Sequence, residues 1–132
     1  KSTANYYVEA DLLVKSVIAT ASISVNGRMD ASALTFYGIR YTGTAFILYR
    51  SVAGTLTTLA TYTFTQPTGV QATTRLEMNG DQISGYVDGV LRMGPVTDAN
   101  ITAAGRVGTR IFGNNAAPTT GQHFEAMRAG SL

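Results

Sequence analysis

Arg75-Leu76-Glu77-Met78-Asn79-Gly80-Asp81-Gln82-Ile83-Ser84-Gly85-Tyr86-Val87-Asp88-Gly89 is the stretch on which the reading of the whole chain turns. Leu76 and Met78 alternate with Arg75 and Glu77, and Ile83 and Val87 alternate with Ser84, Tyr86 and Asp88. A period of two sends successive side chains to opposite faces of an extended strand, so both segments read as half-buried β-strands with one apolar face. Asn79-Gly80-Asp81 and Asp88-Gly89 punctuate them. Both central residues of a primed two-residue turn need positive φ, which Asn, Asp and Gly tolerate best, so these pairs read as hairpin turns. Turns this close together leave little room for a helix.

Working outward, the same pattern extends to both ends. Asn5 to Val14 reads as a first strand and Val17 to Asp30 as a second, with Asn26-Gly27 inside it as either a turn or a bulge. Leu34 to Thr42 and Ala45 to Val52 are joined across Gly43, and Leu56 to Thr65 returns after Ala53-Gly54-Thr55. Gln66-Pro67-Thr68-Gly69 is a turn by composition, because Pro fixes one backbone angle and Gly permits the positive one. After Thr73 to Met78 and Gln82 to Val87 come Val90 to Val96, Gly105 to Phe112, a loop through Asn114, Asn115 and Pro118, and a last strand from His123 to Ala129. First and last strands side by side would close the sheet. Between Leu34 and Thr42 both faces carry large residues, Phe36 on one side and Tyr37, Ile39 and Tyr41 on the other, so this strand is covered twice or lines a groove.

Composition bounds the class. The 132 residues suit a single domain spanning 1-132 with one core. At 45% hydrophobic and 14% charged, the chain is too apolar for disorder and too poor in charge for a long exposed helix. Its apolar runs are short, far below the roughly 20 residues of a membrane-spanning helix, so no membrane span is expected. The formal net charge is +2, and Lys1 and Lys15 are the only lysines. Arg28, Arg40, Arg50, Arg75, Arg92, Arg106, Arg110 and Arg128 are spread along the chain without the clustering of a nucleic-acid surface, so nucleic acid is not the expected partner. Arginine suits planar recognition of carboxylates or sugar hydroxyls, and it also covers ordinary sheet faces. Both readings stay open. The absence of cysteine removes disulfides and thiolate chemistry together. Lys1 rather than Met opens the chain, which reads as a processed or excised piece, and an extracellular or virion-surface location is expected from the Ser, Thr, Ala and Gly content.

With Val96-Thr97-Asp98 and Gly105-Arg106-Val107-Gly108-Thr109-Arg110 added, the opening stretch resembles the second half of laminin G-like and related concanavalin A-like domains. Tyr6-Tyr7-Val8-Glu9-Ala10 and Leu56-Thr57-Thr58-Leu59-Ala60 agree more loosely with its first half. The resemblance implies an all-β, two-sheet antiparallel jelly-roll sandwich with ligand sites on a concave sheet or on rim loops. It implies no particular reaction, because the superfamily holds lectins, glycoside hydrolases, binding modules, adhesion domains and virion components.

Hydrolases of this fold carry three acids on one strand. Glu9 and Asp11 would face one way, but Val14 stands where the pattern continues, and this strand is the first rather than a central one. The pair reads as a solvated face, and no enzyme is expected. His123 is the only histidine and no Gly-x-Ser-x-Gly elbow accompanies it, which argues against a nucleophilic triad. No cofactor is expected. Calcium is the one metal to weigh, through Asp30, Asp98 and Asn100, although Asp98 fits equally well as a bond acceptor for its own turn. For saccharides, tyrosine rings combine an apolar body with a polar tip. Tyr37, Arg40, Tyr41, Tyr49 and Arg50 are the candidate ligand residues, with Arg40 and Arg50 expected near one another across the Gly43 hairpin; Tyr62 and Tyr86 also lie on strands. The competing reading has these tyrosines in the core and rim and the arginines on a sheet face. The expected function is a non-catalytic, lectin-like module that binds carbohydrate or a cell-surface ligand. The alternative is a structural or decoration domain of a phage virion, fibre or surface filament, whose partners are neighbouring protein subunits in a homo-oligomer or larger assembly.

Overall fold

The computed structural model of the chain describes residues 5–14, 22–112 and 122–132. These form ten strands and no helix: β1 Tyr6–Val14, β2 Ser22–Met29, β3 Phe36–Tyr41, β4 Ala45–Val52, β5 Thr55–Thr63, β6 Ala72–Asn79, β7 Gln82–Val87, β8 Val90–Thr97, β9 Arg106–Phe112 and β10 Gln122–Ser131. Sheet I has the order β10-β1-β6-β7-β8 and sheet II the order β5-β4-β3-β2-β9, with every paired neighbour antiparallel. The chain crosses between the sheets after β1, β5, β8 and β9, the exchange that defines a jelly-roll sandwich. The first and last strands pair along nearly their full length, as expected. The expected opening of the second strand at Val17 and the loop through Asn114, Asn115 and Pro118 lie outside the described residues.

The alternation read from the sequence decides which faces meet. Val8, Leu12, Leu76, Met78 and Ile83 of sheet I pack against Val25, Tyr37, Ile39, Tyr41, Phe46 and Leu48 of sheet II. Each such side chain withdraws enough apolar surface to contribute about 1.5–3 kcal/mol. Asn26-Gly27 proves to be no turn: β2 runs through it, and the irregularity is a bulge against β9 between Asn26 and Met29, where Arg28 has φ 48°. Gly27 leaves room there for the end of the Met78 side chain, whose Cε would lie 2.4 Å from a Cβ and would have to move aside. The bulge turns Arg28 inward, where it is 2% exposed and donates to the carbonyls of Ile101 and Gly80, each at 2.8 Å.

Asp88-Gly89, at φ 51° and 77°, is the primed turn expected from its sequence, and Ala53-Gly54 adopts the same form at 50° and 87°. The other hairpin is shifted by one residue. Asn79 pairs with Gln82 as the last rung of the strands, so Gly80-Asp81 makes the loop and Gly80 alone takes positive φ, 61°.

Candidate functional site: the outer face of sheet II

Pairing registers place the residues of this face. Arg40 of β3 and Arg110 of β9 both sit opposite Ser24 of β2, so the two arginines flank Ser24 on one rung. The next rung on the same side aligns Gly108, Asn26, Gly38 and Tyr49. Gly38 has no side chain, and the Tyr49 ring lies over it from β4: a Cβ on Gly38 would stand 2.8 Å from Tyr49 Cε1 and 2.4 Å from Asn26 Oδ1. This lets the Tyr49 hydroxyl cross β3 and donate to Ser24 Oγ at 3.1 Å, while Ser24 donates to Asn26 Oδ1 at 3.0 Å. Arg40 caps the Tyr49 ring at 5.1 Å, Phe36 meets it edge-on at 5.6 Å, and Arg110 lies 5.4 Å from the Phe36 ring.

The chain of hydrogen bonds ends on a donor. Asn26 is wholly buried, and its Nδ2 has no hydrogen-bond partner in the protein; the same holds for the buried Nε of Arg40 on the adjoining strand. Most buried polar atoms are paired because an unpaired one costs about 1–3 kcal/mol. Both atoms are buried beneath this face rather than presented on it. Burial raises the Tyr49 phenol above its ordinary range, against the bond to Ser24 and the charges of Arg40 and Arg110, so it stays a neutral donor at physiological pH.

The five residues expected from sequence to share a ligand surface separate onto two faces. Arg40 and Tyr49 come together on the outer face. Tyr49 is 0% exposed, however, so it orders the arginine and serine and offers no open ring for a sugar. Tyr37 and Tyr41 point the other way, into the core, where they are at most 1% exposed. Arg50 pairs in register with Tyr37, not with Arg40, whose partner on β4 is Ile47. Arg50 is bonded to the Asp98 carboxylate between the sheets. The reason is parity: Arg40 and Arg50 occupy opposite phases of the alternation, which a hairpin reading that fixes no register cannot detect. Tyr62 stacks between Phe46 and Phe64 at the β5 edge, and Tyr86 lies on the outer side of sheet I. Ser24, Asn26 and Arg110 were not singled out from sequence. Only the pairing of β2 with both β3 and β9 brings them beside Arg40.

The residues considered for calcium serve the loops instead. Asp98 accepts from the Tyr37 hydroxyl at 2.6 Å and from the backbone and side-chain nitrogens of Asn100, both at 3.0 Å, in addition to Arg50. Asp30 accepts from the Ser32 hydroxyl and from the amides of Leu34 and Thr35. Among the described residues no three His, Cys, Asp or Glu side chains gather as a metal site. Glu9 and Asp11 do share the outer side of sheet I, held by Arg128 at 2.8 Å and 2.9 Å, with Arg75 3.3 Å from Glu9. The Arg128 bond, against a smaller burial effect, holds the Asp11 carboxyl below its ordinary range, the reverse of what a general acid requires. The side chain of His123 is outside the described set.

No protein-family model matches the chain, and no curated protein matches it by sequence. Its structure does have relatives. The carbohydrate binding module CBM66 from Bacillus subtilis superposes with a TM-score of 0.82 at 16% identity, over 99% of this chain and 78% of that one. The galectin LEC-6 from Caenorhabditis elegans gives 0.66 at 14% identity over 96% and 82%, and CG-16, a homodimeric agglutinin from chicken liver, gives 0.66 at 10% over 98% and 92%. Part of a GH43 protein, BlXynB from Bacillus licheniformis, also matches, with 98% of this chain covering 28% of that one. At these identities the likeness establishes the fold: a concanavalin A-like jelly-roll sandwich.

Proposed function

We propose that this concanavalin A-like sandwich is a non-catalytic carbohydrate-recognition module that holds its ligand on the outer face of sheet II. The observation that carries the reading is the pair of half-buried arginines, Arg40 and Arg110, that flank Ser24 on one rung of this face. A sugar presents hydroxyl and ring oxygens at a spacing that several convergent donors on neighbouring strands can meet, and a rigid sheet keeps those donors in place without loss of loop entropy on binding. The carbohydrate binding module and the agglutinin among the structural relatives support the same reading. An extracellular or virion-surface setting suits such a role.

The test is a glycan array followed by titration calorimetry. Wild-type protein is expected to bind a defined set of glycans, and Arg40→Ala to weaken that binding by about tenfold or more while the thermal midpoint stays within a few degrees. Folded wild-type protein that binds nothing across the array would overturn the proposal.

A further inference from the structure

The sandwich has four edge strands, β10 and β8 in sheet I and β9 and β5 in sheet II. An edge strand offers unpaired N–H and C=O groups to any other chain, and proteins blunt such edges with charged side chains or proline. Three of the four follow that rule. β9 carries Arg106 and Arg110, β10 carries Glu125 and Arg128, and β8 carries Arg92 and Pro95. β5, Thr55–Thr63, has neither a charge nor a proline along its nine residues. Its bulge, opposite Leu48 and Tyr49, leaves residues 60–63 extended beyond it. Phe64 donates its amide to the Thr44 carbonyl, so by antiparallel alternation Ala60 and Tyr62 also bond to β4, while Thr61 and Thr63 turn their N–H and C=O groups outward. No strand among the described residues pairs with that side of β5.

The wall around this edge is apolar. β5 and β8 close the same side of the sandwich, and Arg92, the one charged residue on the two strands, lies over the Tyr62 ring at 4.8 Å. Of the nine large hydrophobic side chains exposed among the described residues, five border this wall: Val52, Leu56, Phe64, Val90 and Leu91. β9 and β10 together hold only Met127. We infer that β5 pairs antiparallel with β5 of a second copy of this chain, about a two-fold axis beside Thr61, and joins two copies of sheet II into one continuous sheet. Such an axis sets each residue against one from the same strand, so a charge there would meet a like charge at short range. A neutral strand is complementary to itself, whereas the edge of a different protein could answer charge with opposite charge. On this axis Thr61 faces its own copy, their outward backbone groups bond reciprocally, and Ala60 faces Tyr62. The wall is about 30 Å long and about 20 Å across at ordinary strand rise and sheet separation, so two walls in contact bury about 1,200 Å² in all, the lower end of stable specific interfaces. The axis stands perpendicular to the sheet, so the outer faces of both copies look the same way, with their Arg40 strands five strand spacings, or about 24 Å, apart. On the carbohydrate reading, the pair presents two sites to one glycan surface.

Sedimentation equilibrium tests this without any glycan, over roughly 1–200 μM chain, so its outcome is separate from that of the glycan array. The wild-type chain is expected to pass from monomer to dimer within that range, and the Thr61 and Thr63 amides to exchange hydrogen more slowly as concentration rises. Thr61→Lys and Thr61→Glu each set two like charges together on the axis, and each is expected to weaken dimerisation by about tenfold or more. Mixing the two variants is expected to restore the dimer, because opposite charges then meet; a variant that merely failed to fold would not be rescued. Met127→Lys, which places the same charge on β10 at the opposite wall, is expected to leave the dimer intact. A monomer throughout the range, a dimer indifferent to both Thr61 variants, or no rescue on mixing overturns the inference. A dimer lost in Met127→Lys places the interface on the other wall and overturns it as well, as does a β5 edge that becomes protected only when a different protein is added.

Discussion

At Asp98 one carboxylate closes the gap between the sheets. Burial alone would raise its pKa, but the bonds from the Tyr37 hydroxyl and from Asn100, with the charge of Arg50, outweigh that and hold it below the usual carboxylate range. Removing it leaves the Arg50 guanidinium without its carboxylate and the Tyr37 hydroxyl with only the main-chain carbonyl of residue 98 to donate to. Asp98→Ala is therefore expected to destabilise the protein by about 2–4 kcal/mol. Urea unfolding measures this, and a loss below about 0.5 kcal/mol, the size of an ordinary surface substitution, would show that the cluster matters little. Asp98 and its neighbours were visible in the sequence as a polar turn, and so was the option that Asp98 serves that turn. That Tyr37 and Arg50 converge on it was not visible, because they lie some fifty residues away and reach it only through β3–β4 register. The same limit applies to Asn26, which comes onto one rung with Gly38 and Tyr49 only through the pairing of β2, β3 and β4.

Among the elements, hairpins follow local chemistry closely and strand faces do so only where one side is clearly apolar. Ala53 holds φ 50° in the exposed turn between β4 and β5, a conformation in which its Cβ crowds the following carbonyl. Asn tolerates that conformation better. Ala53→Asn should raise stability by about 0.5–1 kcal/mol, read as a shift in the urea midpoint with an unchanged slope. An unchanged or lowered midpoint would contradict the strain argument. The β6–β7 and β7–β8 hairpins, and the strands they join, were legible because alternation and turn residues agree there. Strand β3 was not resolved in the same way: Phe36 and Tyr37 are both large, so period two marks two faces without saying which meets the other sheet. The answer lies across the sandwich, in Leu76, Met78 and Ile83, which pack with Tyr37 and Ile39 and leave Phe36 outside with Tyr49 and Arg110.

For the molecule as a whole, the buried tyrosines set an alkaline limit and the paired carboxylates an acidic one. Burial, aided by the Asp98 bond, pushes Tyr37 up to about 12 from 10.0, and burial also raises Tyr6, Tyr41 and Tyr49. Below pH 10 folded and unfolded states are both protonated at Tyr37, so the stabilisation is complete. Between pH 10 and 12 only the unfolded state loses the proton, and Tyr37 alone then removes on the order of 2–3 kcal/mol. Asp98 and Asp11 have lowered values, so their contribution is present above 3.8 and disappears as pH falls through the folded values. Unfolding free energy should therefore be level across neutral pH and decline above pH 10 and below pH 4. A stability that rose from pH 9 to 11 would refute the assignment. Period-two alternation and paired turn residues were enough, by themselves, to specify a strand-built sandwich and most of its strand limits, because both act between residues close in sequence. Which arginine faces solvent, which tyrosine lies in the core and which donors lack an acceptor were decided by the pairing of β2 with β3 and β9 and by the packing of one sheet on the other. Those contacts join residues remote in the chain, and a register shift of one residue would have exchanged their faces.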